Sequence, residues 1–272
     1  MTGEALPTWR VKARNTRGEN PIHDDEAARR HGFPGALVPG VTVYAYLTEP
    51  LVAAFGTAWL DRGGASVRFV KPVLDGEEVV VTGAVTARDP RGVSARLEAT
   101  TASTGVCAEL DATLPSGTPT PINLAHYPTA PLPDPRPEAT REHLGALTAL
   151  GTPVTLYDEA CALAWLTRVA DPLALYRGPD ARAHPAFYLD QANRALDRNV
   201  RMGPWIHVAS VVRHLGPARA GDRLETRGRV RSLFEKKGRQ FAELDLAIVA
   251  GGAARPVAHV LHTAIYRLPP PA

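Results

Sequence analysis

Hydrophobic and polar residues follow the same order twice along the chain. Residues 41–56, VTVYAYLTEPLVAAFG, are apolar on nearly every side, which predicts a helix buried all round. Predicted strands, separated by turns of Gly, Pro and Asp, follow at 65–72, 78–87, 92–101 and 106–114. Because no helix separates them, these strands should pair antiparallel. The second half predicts a helix at 186–199 and strands at 205–215, 222–233, 240–249 and 256–267.

An internal repeat relates the two halves. At an offset of 145 residues, VRFVKPVLDGEEVVVTGAV (67–85) aligns with VRHLGPARAGDRLETRGRV (212–230). Six of the 19 aligned positions are identical, among them Gly76 with Gly221 and Gly83 with Gly228. Average residue frequencies predict about one identity. We therefore interpret the chain as a duplication.

A proline-rich segment separates the halves. Residues 115–137 contain eight prolines in 23 positions, and such segments favour a stiff, extended connector. The sequence thus predicts a first module at 1–114, a connector at 115–142 and a second module at 143–272. A long antiparallel sheet wrapped around one apolar helix is the hotdog architecture. The predicted fold class is therefore α+β, a double hotdog.

Composition narrows the class of protein. Cys107 and Cys161 follow no metal or redox spacing, which favours a reducing cytoplasm and no metal site. No apolar run is long enough for a membrane helix or resembles a secretion signal. The net charge of +3 is a weak indication of nucleic acid, so we expect neither a nucleic-acid nor a membrane partner. One basic cluster suits either a solvated strand face or a phosphate-bearing ligand such as CoA. It comprises Arg227, Arg229, Arg231, Lys236, Lys237 and Arg239.

The segment with the most chemical information is ENPIHDDE at 19–26, followed by Gly-Phe at 32–33 and Val-Pro-Gly at 38–40. It resembles the R-specific enoyl-CoA hydratases, or MaoC-like dehydratases. Their signature is approximately G-D-x-N-P-hydrophobic-H-x-D/E, then Gly-Phe, then P-I-A-H-G ahead of the hotdog helix. The matching positions are Asn20, Pro21, Ile22, His23, Asp25, Gly32, Phe33 and Gly40.

The resemblance implies roles for these residues. In that family an Asp and a His five residues apart hold the reacting water, an Asn supports their loop, and a peptide N–H at the helix start polarises the thioester oxygen. The counterparts here are His23, Asn20 and the Gly40 N–H. The position of the Asp is Gly18, which has no side chain. Glu19, one position later, is the nearest candidate carboxylate.

The motif has one further departure, and there is one further candidate for the missing carboxylate. Pro39 stands where the family usually has the His of its P-I-A-H-G turn, and Asp158 is a more distant candidate for the missing carboxylate. A structural role is the alternative for each loop residue. Asn20 before a proline is a common turn initiator, and His23 would then only bond a loop carbonyl. The acids at 24–26 would then offset the dipole of a short helix.

Four residues are predicted to bind substrate: Tyr44, Tyr46, His184 and Gln191. The 145-residue offset places His184 opposite Pro39, at the mouth of the second helix, where a second site could lie. It places Gln191 opposite Tyr46, and both would face either the core or a ligand tunnel.

Other polar residues of the second half are open to structural interpretations. Tyr157, Asp158 and His207 are interpreted as buried polar groups that satisfy one another. The resemblance implies that the first half carries the chemistry while the second shapes the tunnel.

These observations predict an acyl-CoA hydratase or dehydratase that adds or removes water at the 2,3 position of a thioester. A hotdog thioesterase using a carboxylate near the buried helix, such as Glu49, is one alternative. A catalytically inactive acyl-CoA-binding protein, given Gly18, is another. No cofactor is implied, because CoA or a pantetheine arm belongs to the substrate. A monomer and a homodimer both fit a double hotdog.

Overall fold

The computed structural model describes residues 3–16, 20–252 and 254–269. The first half contains α1 (Asp25–Arg30), α2 (Gly40–Arg62) and strands β1 (Trp9–Lys12), β2 (Gly64–Phe69), β3 (Glu78–Asp89), β4 (Gly92–Thr101) and β5 (Gly105–Pro115). The remainder contains α3 (Arg141–Ala146), α4 (Glu159–Val169), α5 (Pro185–Asn199) and strands β6 (Val154–Tyr157), β7 (Ile206–His214), β8 (Asp222–Lys236), β9 (Arg239–Ala250) and β10 (Arg255–Arg267).

All ten described strands form one antiparallel sheet in the order β1-β3-β4-β5-β2-β7-β10-β9-β8-β6. The two five-stranded halves meet where β2 pairs with β7, and Ser66 lies opposite Val211 in that ladder. These two residues are 145 positions apart, which is the offset of the sequence repeat. A pseudo-twofold axis therefore passes between them and relates the two modules.

Each half of the sheet covers one long helix. Residues 41–52 of α2 are all buried, as the apolar pattern predicts, and the helix is interrupted at Gly56, where φ is +58°. Helix α5 is amphipathic and begins at Pro185, again 145 residues after Gly40. The two helices pack against each other, so the core is continuous across the modules.

The identical glycines of the repeat are explained by backbone geometry. Gly76 and Gly221 occupy turns with φ of +81° and +95°, a region that favours glycine. Gly83 and Gly228 lie in strands where a neighbouring strand approaches closely. A Cβ at Gly83 would lie 2.5 Å from Leu97 Cγ. A Cβ at Gly228 would lie 2.3 Å from the Asp245 carbonyl oxygen.

The proline-rich segment lies across the outer face of the sheet. Tyr127 donates a hydrogen bond from its hydroxyl to Asp245 Oδ1 at 2.8 Å, and the same carboxylate oxygen lies 2.9 Å from His259 Nε2. This contact attaches the segment to β9 and β10. The module boundaries at 114/115 and 142/143 stay predictions.

The observed elements lie within a few residues of the predicted strands and helices. The order also includes two short edge strands, β1 and β6, which were not delimited from the sequence, and helices α3 and α4, which were not predicted. Among the described residues, no helix combines the length and hydropathy that crossing a bilayer requires.

Candidate active site

A cavity of about 450 Å³ opens beside the N-terminus of α2. Residues from both modules line it. The first module contributes Thr16, Asn20, Ile22, His23, Phe33, residues 37–41, Val43 and residues 69–73. The remainder contributes Arg168, Asp190, Asn193, Arg194, Asp197, Arg198, residues 205–208, Arg239 and Ile265. The cavity therefore depends on the pairing of the two modules.

His23 projects into this cavity from a single 3-10 turn, Pro21–His23. Its Nδ1 lies 2.7 Å from the Leu37 carbonyl oxygen. Because a carbonyl only accepts, Nδ1 carries the proton of the neutral ring and Nε2 holds a lone pair. Burial lowers the pKa of His23 below its ordinary value, outweighing the carbonyl contact that raises it. The ring is thus a neutral base at ordinary pH.

Asn20 caps the turn and attaches it to the second module. Its Oδ1 accepts from the Ile22 N–H at 3.2 Å and from the Trp205 N–H at 3.3 Å. Its Nδ2 donates to the Trp205 carbonyl at 2.8 Å. Asn20 thereby positions the turn that presents His23 against the start of β7.

The N-terminus of α2 forms the adjoining wall. Pro39 is its N-cap, with φ of −56°. No hydrogen bond joins the Gly40 N–H to an acceptor in the described part of the chain, as expected for the first turn of a helix. A Cβ at Gly40 would lie 3.2 Å from Phe69 Cε2 and 3.3 Å from His207 Nδ1. Glycine therefore keeps this peptide accessible where the helix dipole favours negative charge.

The polar face of α5 also lines the cavity. Its cavity-lining residues recur at the spacing of one helix face: Asp190, Asn193, Arg194, Asp197 and Arg198. Burial raises the pKa of Asp190, and the guanidinium groups of Arg168 and Arg194 partly oppose this effect. Arg168, from α4, lies 3.6 Å from Asp190 and donates to Thr16 Oγ1 at 3.2 Å.

The cavity has more basic than acidic side chains. Lys71, Arg168, Arg194, Arg198 and Arg239 line it, against the carboxylates of Asp190 and Asp197. Of the basic cluster seen in the sequence, only Arg239 lies there among the described residues. Two other members are paired on the sheet, Arg227 with Glu225 and Arg229 with Asp245.

None of the four residues predicted to bind substrate lines this cavity. The cavity reaches only the first turn of α2, so Tyr44 and Tyr46 are buried in the core beyond it. Gln191 of α5 contacts a strand instead, where its Oε1 accepts from Thr155 Oγ1 at 2.8 Å.

His184 has a structural role at the mouth of the second helix. It is fully buried, and its Nδ1 accepts from the Ala186 N–H at 3.1 Å as the cap of α5. Its Nε2 lies 3.2 Å from Asp171 Oδ2. The position that the repeat equates with Pro39 is therefore occupied by a closed pair of side chains.

The candidate carboxylates have different outcomes. Gly18 and Glu19 lie outside the described residues. Asp158 is the N-cap of α4 and accepts from the Cys161 N–H at 2.8 Å, away from the cavity. Glu49 is buried without lining the cavity. Its burial raises the pKa to about 7, with a further contribution from Asp171.

Of the remaining polar residues, some make structural hydrogen bonds and one lines the cavity. Asp24 caps α1 through the N–H groups of Glu26 and Ala27, which fits the structural interpretation of those acids. Tyr157, Asp158 and His207 do not satisfy one another, contrary to the expectation. The Tyr157 hydroxyl donates to the Arg182 carbonyl at 3.1 Å, whereas His207 lines the cavity.

Sequence reasoning missed the polar face of α5, Arg168 and His207 as cavity residues. The face has a detectable signal, because polar residues recur at i, i+3, i+4, i+7 and i+8 from Asp190. Arg168 and His207 have no such signal. They reach the cavity only because the second module docks beside the first.

Comparison with solved structures supports the fold described above. A conserved hypothetical protein from Mycobacterium tuberculosis, described as having a double hotdog fold, has a TM-score of 0.65 and 15% identity over 97% of this chain and 96% of that one. A MaoC-like dehydratase has a TM-score of 0.64 and 13% identity over 97% and 98%. A putative thioesterase from Novosphingobium aromaticivorans has a TM-score of 0.54 and 16% identity over 96% and 95%. The protein has the double hotdog fold, as predicted.

A known protein family matches part of the first module. Residues 13–106 match the family described as the MaoC like domain. This match confirms the resemblance seen in the motif around Asn20 and His23. A search of the curated proteins found no match.

Proposed function

We propose that the protein is a hydratase or dehydratase of acyl-CoA thioesters, with His23 as its acid/base residue. The observation that carries this proposal is the contact between His23 Nδ1 and the Leu37 carbonyl at 2.7 Å. This contact leaves Nε2 as the basic nitrogen of a ring that lines the same cavity as the Gly40 N–H. A base and an oxyanion donor are the two groups that water addition to an enoyl thioester requires.

The proposed reaction uses these two groups in sequence. His23 Nε2 takes a proton from water as the water oxygen bonds to C3 of the enoyl group. The C2–C3 π electrons move toward the thioester, and the Gly40 N–H stabilises the enolate oxygen. The imidazolium of His23 then returns its proton to C2, so no net proton is gained or lost. Dehydration is the same path in reverse.

The charge of the cavity supports CoA as the carrier of the acyl group. CoA bears a diphosphate and a further phosphate, and the lining contains five basic side chains against two carboxylates. Phosphate groups favour such surroundings.

The test is hydration of crotonyl-CoA, followed as loss of the enoyl thioester absorbance. We expect His23→Ala to lower kcat by roughly 10²–10⁴-fold, the usual range for loss of a general acid/base residue. His31→Ala is the matched control. His31 is the C-cap of α1, the short helix that begins just after His23, and it does not line this cavity. Wild-type turnover by His23→Ala would refute the role of His23. Binding of CoA esters without hydration by the wild type would favour the inactive acyl-CoA-binding alternative.

A second candidate function, thioester hydrolysis, is favoured by one observation. Asp190 is a carboxylate on a buried hotdog helix that faces the cavity, the placement which a thioesterase would use. Glu49, the carboxylate first considered for this role, does not line the cavity. Thiol release from saturated acyl-CoA that Asp190→Asn abolishes and His23→Ala preserves would establish hydrolysis instead.

A further inference from the structure

A second histidine lies beside the start of α2, and it belongs to the other module. His207, near the start of β7, is 6% exposed and lines the cavity. Its ring packs edge-on against Phe69, with 4.8 Å between the centroids. Its Nδ1 is next to the Gly40 backbone, 3.3 Å from where a Cβ of that residue would lie. This nitrogen is buried and has no hydrogen-bond partner among the described residues.

The other nitrogen of the ring belongs to a buried chain of three side chains. His207 Nε2 lies 2.8 Å from Ser210 Oγ, which lies 3.0 Å from His262 Nδ1. Burial, reinforced by the neighbouring His262, holds the pKa of His207 well below its ordinary value, with a smaller opposing effect from the Ala209 backbone. Burial lowers the pKa of His262 to about 3. Both rings are therefore neutral at ordinary pH.

A neutral chain of this kind has two proton arrangements. In one, the Ser210 hydroxyl donates to His207 Nε2 and accepts from His262 Nδ1–H, so that His207 Nδ1 carries a proton. In the other, His207 Nε2–H donates to Ser210 Oγ and the Ser210 hydroxyl donates to His262 Nδ1, so that His207 Nδ1 carries a lone pair. A carbonyl oxygen only accepts hydrogen bonds. A thioester oxygen placed against Nδ1 therefore selects the first arrangement without charging either ring.

We propose that His207 is a further catalytic residue of this site, whose Nδ1–H donates to the thioester oxygen alongside the Gly40 N–H. Ser210 and His262 are positioning residues, because they fix the tautomer through His207 Nε2. The neutral imidazole is the form that this buried site favours, since it can polarise the carbonyl without introducing a buried charge. The inference rests on the proposed function only in taking a thioester as the ligand.

Two substitutions separate the nitrogens of His207. His207→Asn places an amide N–H near the position of Nδ1, whereas His207→Gln places its amide near Nε2 and leaves no donor beside Gly40. We expect His207→Gln to lower kcat for crotonyl-CoA by about 10²-fold, the range for loss of one oxyanion donor. His207→Asn should stay within about tenfold of the wild type, and KM should change little in either. His259→Gln is the control, because His259 contacts Tyr127 and Asp245 on the outer face.

A measurement without turnover keeps this inference separate from the proposed reaction. Butyryl-CoA labelled with ¹³C at the thioester carbonyl cannot be hydrated, and its infrared carbonyl band reports the hydrogen bonds to that oxygen. We expect the bound band to lie below the free one in the wild type and in His207→Asn. In His207→Gln it should return most of the way toward the free position at unchanged thermal stability.

The outcomes distinguish the two ideas. A shifted band that depends on His207 in a protein without hydratase activity would support the donor and refute the hydratase. Wild-type hydration by His207→Gln, together with a bound carbonyl band at the wild-type position, would refute the donor alone. A wild-type protein that binds no acyl-CoA would overturn both. The ¹⁵N signals of the His207 ring report its tautomer. With butyryl-CoA bound, the tautomer population in Ser210→Ala should differ from that in the wild type, and equal populations would refute the positioning role.

Discussion

The attachment of the His23 turn to the second module by Asn20 leads to a quantitative prediction. Asn20→Ala removes a cap bond to Ile22 and two bonds to the Trp205 backbone, at 2.8 and 3.3 Å. Loss of an N-cap side chain costs about 1 kcal/mol. Each further neutral hydrogen bond contributes about 1 kcal/mol, and the longer one somewhat less. We expect Asn20→Ala to lower the free energy of unfolding by roughly 2–3 kcal/mol.

A second asparagine provides a matched control. Asn123 caps the 3-10 turn Leu124–His126 in the connector, and its Oδ1 accepts a single bond from the Ala125 N–H at 3.0 Å. Asn123 is exposed and no bond joins its side chain to the second module among the described residues. Asn123→Ala should cost about 1 kcal/mol or less. The difference between the two substitutions, roughly 1.5 kcal/mol, measures the bonds to Trp205.

Urea-induced unfolding followed by tryptophan fluorescence measures both free energies under one buffer condition. Amide hydrogen exchange at residues 20–24 would show whether the turn opens locally instead of unfolding with the whole molecule. We also expect Asn20→Ala to lower hydratase activity while Asn123→Ala does not, because only Asn20 positions His23. An equal cost for both substitutions, with no faster exchange in the turn, would refute the reasoning.

Three other outcomes follow from the packing and the titration of buried groups. Gly83→Ala and Gly228→Ala should each lower the free energy of unfolding by about 1–3 kcal/mol, because their Cβ atoms would overlap neighbouring strands. Gly117→Ala is the control in urea unfolding, because nothing lies within 4 Å of that position. No loss of stability at either strand position would contradict the overlap. Burial lowers the pKa of His214 to about 4 and that of His262 to about 3. Only the unfolded state then binds these protons between about pH 6.5 and 4. The free energy of unfolding should therefore fall as pH drops through that window, by about 1 kcal/mol per histidine at pH 5.5. If the free energy of unfolding of His214→Asn depended on pH as steeply as that of the wild type, this reasoning would be refuted. The lowered pKa of His23 keeps Nε2 unprotonated to lower pH. The value of kcat/KM for crotonyl-CoA should therefore stay constant to below pH 6.5 before it declines in acid. A decline centred above pH 6.5 would contradict a buried neutral base.

Much of the fold follows from local patterns in the sequence. The run at 41–56 is apolar on nearly every side, which predicts a buried helix, and residues 41–52 are buried. Gly83 and Gly228 are identical in the repeat because a neighbouring strand lies too close to each of them for a Cβ. The same steric constraint therefore acts in both modules. The edge strand β6 is only four residues long and carries too short an alternation to recognise.

The candidate site was predictable only where its residues are consecutive. The turn Pro21–His23 and the start of α2 belong to one stretch of chain, and their spacing indicates the chemistry. Arg168 and His207 enter the cavity through the docking of the second module, which no local periodicity records. For a related reason the sequence could not place Tyr46 and His184 relative to the cavity, since it shows that a helix is buried but not which turn of it lies beside the cavity.

The pseudo-twofold axis between Ser66 and Val211 has an evolutionary consequence. In a dimer of identical single modules, every substitution appears at both sites, so a side chain that benefits one must be tolerated by the other. In a fused pair each copy changes alone. Arg62 stands 145 residues before His207 and donates from Nε to the Pro115 carbonyl at 2.9 Å. The two equivalent positions accordingly hold different side chains, an imidazole that lines the cavity in one copy and a guanidinium that contacts the connector in the other.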